Sequence, residues 1–300
     1  MIIDEINEKY KALGQNPDVF LEGLKHNKLI TYWDYIQTDT LLTLQKTRTN
    51  FPDEAIFVMY HQVTELYFKM ILHEIHQIIH HPGLTGAFFT ARLERINRYF
   101  SILTSSFAVM RDGMELEQYL QFRNSLTPAS GFQSAQYRLI EICSTDLKNL
   151  VDNRVKVTMA NGEHSIEEMF ESIYWQAAGK DYKTGKKTLT LQLFEEKYLA
   201  MFIQTAKTYK DNNLARRYFS LPEHEKTDAL REALRGLDRA VNIDWPMVHI
   251  NTASRYLDNG TESKEATGGS EWKKYLHPKY QRRIFYPELW SASELEHWGE

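Results

Sequence analysis

The chain has one cysteine, Cys143, in 300 residues, which excludes an internal disulfide framework and leaves the fold to be held by burial. No apolar run approaches the roughly 18 residues that a membrane-spanning helix needs. No sign of charge dominates, since 36 Lys and Arg stand against 40 Asp and Glu. A chain without a basic stripe has nothing to neutralise a phosphate backbone, so neither nucleic acid nor a membrane is an expected partner. Glycine and proline, at 14 and eight, are too scarce for a linker-rich or disordered protein. The opening MIIDEINEKYKALGQ places acids where a secretory leader needs a basic start and an apolar stretch, so the expected location is cytoplasmic.

What the chain does have is helical periodicity. From Asp53 to His81, Phe57, Tyr60, Val63, Tyr67, Met70 and Ile71 recur at three- and four-residue steps, with Pro52 in front and Pro82 behind, which predicts a long helix. Similar spacing predicts helices near 87–111, 114–125, 133–151 and 190–210. Ser165 with Glu168 and Ser220 with Glu223 have capping-box spacing, and they predict helices over 166–178 and 222–257. Strand-like alternation is rare. Polar breakers separate these segments, and DNGTESKEATGGSE between Leu257 and Trp272 reads as a long functional loop. The expected fold is all-α, one helical domain spanning 1–300 with a helical excursion near 151–222.

Three stretches carry candidate chemistry. Tyr119 precedes Arg123 by four residues, so on a helix a phenol and a guanidinium share a face and can grip a carboxylate, the arginine through its two-pronged fork. A surface arginine beside a tyrosine is also common. The following TPASGFQS breaks and restarts the helix around Pro128 and Gly131, which either frees Ser130 and backbone N–H groups for a ligand or simply makes a corner. His61 lies one turn from Phe57 among apolar neighbours, where burial favours a neutral imidazole able to accept an N–H; a structural histidine fits the same pattern. His249 follows Pro246 within a long predicted helix, and a proline there bends the helix. A single helical histidine suffices to ligate haem iron, although one histidine alone is a weak signal.

His73, His76 and His80 share one helix face at i, i+3 and i+7. Two of them could bind zinc, but no cysteine or carboxylate supports them, and the reading adopted is a solvated face.

Together, FVMYHQVTEL, FRNSLTPASGFQSAQYR, WPMVH and TGGS resemble the tryptophan 2,3-dioxygenase family in both motif and order, from ITYWDYIQTDTLLTLQ to RRIFYPELW. Residues 151–222 match least. The resemblance implies a haem b enzyme that cleaves the indole C2–C3 bond of L-tryptophan with O2 to give N-formyl-L-kynurenine. In that reading His249 looks like the axial ligand of haem iron, and His61 like the distal histidine facing the indole nitrogen. Arg123 and Tyr119 look like the carboxylate clamp, Phe57 lines the indole slot, and Ser130 and Gly131 lie between haem and substrate. Thr267 is similar to a threonine that meets the substrate's ammonium and carboxylate. Tyr32, Tyr35 and Ile36 match positions that complete a neighbouring subunit's pocket, which implies a homotetramer, a dimer of dimers. Two departures stand out: the His249–Thr267 segment is longer than in some relatives, and Asn251 replaces a common basic residue. The rivals are a haem-dependent aromatic oxygenase of the same fold, against which the retained clamp and His61 argue, and a helical protein that binds haem or an aromatic without turnover.

Overall fold

Apolar residues at three- and four-residue steps decide the architecture. The computed structural model describes residues 1–159, 162, 164–181, 184–257 and 277–300. Among them the regular elements are helical, and pairing between extended segments is confined to single bridges at Val151–Ile173 and Lys180–Lys187. Also among them, no helix is long and apolar enough to cross a membrane. Contacts divide the chain into two units, Met1–Lys46 and Thr47–Glu300.

The first unit holds α1 (Ile2–Ala12), α2 (Pro17–Leu24), α3 (Tyr32–Ile36) and α4 (Thr38–Leu41). Asn16 caps α2 by accepting the Asp18 N–H, and Thr31 caps α3 by accepting that of Asp34. Tyr10 stacks on Phe20 with ring centroids 4.2 Å apart, yet Leu29, Tyr32 and Tyr35 are 92%, 73% and 75% exposed.

In the second unit, α5 (Pro52–His80), α6 (Gly86–Ser106), α7 (Ala108–Arg111), α8 (Leu116–Phe122) and α9 (Ala135–Ser144) are followed by α10 (Asn153–Met159), α11 (Ile166–Glu171) and α12 (Tyr174–Ala178). Then come α13 (Leu189–Tyr209), α14 (Leu214–Phe219), α15 (Asp228–Arg239), α16 (Trp245–Leu257), α17 (Pro278–Gln281) and α18 (Ala292–Glu296). The core is the meeting of α5, α6, α9, α13 and α15. Phe68, Ile71, Ile75 and Ile78 of α5 face Phe89, Leu93, Ile96, Phe100 and Leu103 of α6 and Leu230, Leu234 and Leu237 of α15. Each buried side chain of this kind contributes about 1.5–3 kcal/mol.

Three boundaries differ from expectation. The helix predicted over 133–151 stops at Ser144, after which Thr145 turns extended and donates to the Phe285 carbonyl at 2.6 Å. The one predicted over 166–178 breaks at Ser172, where Ile173 bridges Val151. Ser220 is not an N-cap: it ends α14, its hydroxyl donates to the Arg217 carbonyl at 2.9 Å, and the cap of α15 is Thr227, which accepts the Leu230 N–H.

Candidate functional site

A second, smaller apolar cluster lies beside the N-terminal half of α5. It contains Tyr60, Met110, Met114, Phe122, Ile250, Tyr256 and Leu257, with Phe57, Tyr119 and Met247 packed against it. Polar links lock its frame. The Asp53 carboxylate accepts the Glu115 N–H at 2.6 Å, and the Asp53 N–H donates to Gln118 Oε1 at 3.1 Å, which ties α8 to the first turn of α5. Tyr256 donates to the Met110 carbonyl and fastens α16 to α7.

Phe57 and His61 project from consecutive turns of α5. His61 Nδ1 lies 2.7 Å from the Phe57 carbonyl oxygen, and a carbonyl only accepts, so Nδ1 carries the proton and Nε2 offers a lone pair. Water reaches the His61 ring, yet burial pushes its pKa below the ordinary 6.5, with the Phe57 carbonyl and Glu65 opposing. His61 is thus a neutral acceptor for an N–H.

Close to Phe57 stand Tyr119 and, next to it, Arg123. Ring centroids of Phe57 and Tyr119 are 6.3 Å apart, and Tyr256 backs Tyr119 at 4.5 Å. Arg123 is only 8% exposed and hydrogen-bonds the Tyr119 hydroxyl; burial raises the phenol's pKa, while the guanidinium beside it pulls the other way. The turn after Pro128 meets His249. Its Ser130 N–H donates to Gln133 Oε1 at 2.8 Å, and Gln133 Nε2 donates to the Thr190 carbonyl at 3.1 Å, which anchors the turn to α13.

His249 of α16 comes up to this turn from the other side. A Cβ placed on Gly131 would lie 3.4 Å from His249 Nε2, so a larger residue would crowd the imidazole's tip. Burial and, secondarily, the charge of His61 push the His249 pKa down to about 4. Its Nδ1 is buried with no hydrogen-bond partner among the described residues, and Phe107 meets the ring edge-on at 5.9 Å. A neutral imidazole whose position is set by packing is suited to being a metal ligand.

Phe57, His61, Tyr119 and Arg123 are thus brought near one another by α5 and α8, and Gly131 lies against His249, which is close enough to His61 to feel its charge. Thr267 lies outside the described residues, as do Gly268 and Gly269. Tyr32, Tyr35 and Ile36 belong to the first unit, where each is exposed. His76 and His80 pack against Tyr209, whose hydroxyl is 3.2 Å from His80 Nε2. Among the described residues no three His, Cys, Asp or Glu are placed to hold a metal. Sequence reasoning missed Tyr256 and Phe107. Tyr256 follows His249 by seven residues and so shares its helix face, a usable signal; Phe107 looked like any core aromatic.

Residues 23–180 match the family model described as tryptophan 2,3-dioxygenase. A protein of that name from Exiguobacterium sibiricum is 30% identical over 276 residues, covering 88% of this chain and 92% of that protein. Another from Bacillus thuringiensis subsp. konkukian is 28% identical over 296 residues, 93% of this chain and 99% of its own length. One from Ruegeria pomeroyi is 29% identical over 301 residues, 93% and 98% respectively.

Proposed function

Because this chain belongs to the tryptophan 2,3-dioxygenase family, we infer that it inserts both atoms of O2 across the indole C2–C3 bond of L-tryptophan to give N-formyl-L-kynurenine. The observation that carries the reading is the nearness of two neutral imidazoles, His61 with an acceptor nitrogen and His249 with its tip facing a glycine.

These residues fit haem b. His249 would hold the iron through Nε2, the nitrogen that faces Gly131. Bound haem supplies the activation of O2 that no side chain can provide. Protein groups do the rest. Arg123 and Tyr119 bind the substrate carboxylate, with a forked, desolvated contact that a substrate lacking the carboxylate would leave unsatisfied. His61 Nε2 accepts the indole N–H, which orients the ring and keeps that proton in place. Phe57 walls the indole slot, and Ser130 and Gly131 edge the space between substrate and cofactor. Thr267 completes the amino-acid end on the strength of the family motif alone.

The same reading extends to assembly and place: a cytoplasmic homotetramer, a dimer of dimers, in which Tyr32, Tyr35 and Ile36 of one subunit complete the slot of another. Their exposure supports it. The deciding experiment is an absorption spectrum of purified, haem-reconstituted protein, followed by product analysis with tryptophan under 18O2. A Soret band and two labelled oxygens in N-formylkynurenine are expected; a haem-free protein, or a singly labelled hydroxylated product, would overturn the assignment.

A further inference from the structure

The helix that carries His249 does not continue α15 in simple register. Between α15 and α16 the backbone makes a π turn over Ala240–Asp244, in which the Trp245 N–H donates to the Ala240 carbonyl five residues back. Such turns are rare and recur at functional sites. The next bond of the same ladder would run from residue 246 to the Val241 carbonyl. Residue 246 is Pro246, which has no N–H to give.

Val241 is fully buried, and a buried carbonyl needs a donor. Tyr137 of α9 supplies one: its hydroxyl donates to Val241 O at 2.7 Å. The positive charge of Arg283 lies beside the Tyr137 oxygen and favours the orientation that points the phenol proton at Val241. Arg283 is held in turn by Glu141 and by the Tyr174 hydroxyl. On the other side of the turn, Asn242 Nδ2 donates to Asp238 Oδ1 at 2.7 Å. The same carboxylate accepts the N–H groups of Phe285 and Tyr286 and the indole N–H of Trp290. The turn is gripped from both sides by groups outside the site. Among the described residues no hydrogen bond ties down the His249 Nδ1, so the ring's direction rests on its backbone and on Phe107.

We propose that Tyr137 is a positioning residue for His249: by donating to Val241 O it replaces the N–H that Pro246 lacks, and so fixes the π turn that aims the imidazole. The proposal rests on the reading of His249 as the axial haem ligand. Tyr137→Phe keeps the ring and removes only the hydroxyl. In ferrous, haem-loaded protein the iron–histidine stretching band should shift and broaden, and haem should pass to an acceptor protein about two- to tenfold faster. Circular dichroism should stay unchanged. Tyr218→Phe removes a buried hydroxyl that accepts from Arg231 and has no part in the turn, and should lower thermal stability while leaving the band in place. A wild-type band in Tyr137→Phe overturns the proposal, as do equal shifts in both variants. If Tyr137→Phe does not fold, Asn242→Ala loosens the turn from its other side, and an unchanged band there overturns it as well. A wild-type protein that takes up no haem removes the underlying reading and this inference together, whereas a wild-type band with no response to Tyr137 removes the inference alone.

Discussion

Phe57 both packs its ring against that of His61 at a tilt of 37°, with ring centroids 4.1 Å apart, and accepts its Nδ1 proton on its own backbone carbonyl at 2.7 Å. One residue therefore fixes the tautomer of another a single turn away. Its consequence is a pH dependence with a definite sign. Burial holds the folded pKa of His61 below the ordinary 6.5, so the unfolded chain takes up the proton first. The contribution of this group to stability is fully present above pH 6.5 and is lost as pH falls through the depressed folded value. Tryptophan affinity should follow the same course, weakening about two- to tenfold as the acceptor lone pair is protonated. Titrating tryptophan into haem-loaded protein between pH 7.5 and 5 checks this, and His61→Ala should flatten the profile.

Arg123→Ala should weaken tryptophan binding by about 2–5 kcal/mol, the cost of truncating one partner of a buried, hydrogen-bonded charge pair. Arg123→Lys should recover little, since an ammonium cannot form the two-pronged contact. Haem content should be normal in both. Unchanged affinity in the alanine variant would place the clamp elsewhere.

Replacing His249 by alanine should empty or loosen the haem site without unfolding the helices, because a ligand is lost and the large core around α5 and α6 is not touched. Pyridine haemochrome content and far-ultraviolet circular dichroism report the two halves of this expectation. A histidine-ligated spectrum at full haem content would end the assignment.

The assembly reading predicts complementation. A subunit carrying Tyr32→Ala and Tyr35→Ala, co-expressed with a His249→Ala subunit, should give mixed tetramers that regain part of the activity missing from the tyrosine-substituted homotetramer. Haem-loaded mixtures with no activity would mean that the two tyrosines act within their own subunit.

The parts of the site that sequence reveals are those encoded within a few turns of one helix. Phe57 and His61, or Tyr119 and Arg123, are one turn apart, and helical spacing alone puts each pair on a face. The all-helical class was equally legible, since the buried positions of α6 keep their three- and four-residue steps throughout. Failures came where one local signal had two possible users. Ser220 has the spacing of a capping box with Glu223, but its hydroxyl serves the helix that ends there, and Thr227 starts the next. The π turn was out of reach for a different reason, because its third component, Tyr137, lies 104 positions from Val241. Pro246 signalled a disturbance in the helix without showing what would satisfy it.

The π turn also bears on which genetic changes this protein can tolerate. A turn closed by a bond to the fifth residue back holds one residue more than an α turn, so its five residues cover roughly the angle that four cover at about 100° each, and losing any one residue from 240–244 would restore the ordinary pitch with the face carrying His249 still directed as before. Deletion of a single codon here should therefore be tolerated, whereas adding one between Pro246 and His249 would swing the imidazole by about 100°, a lesion that assays of expression or thermal stability would pass as healthy.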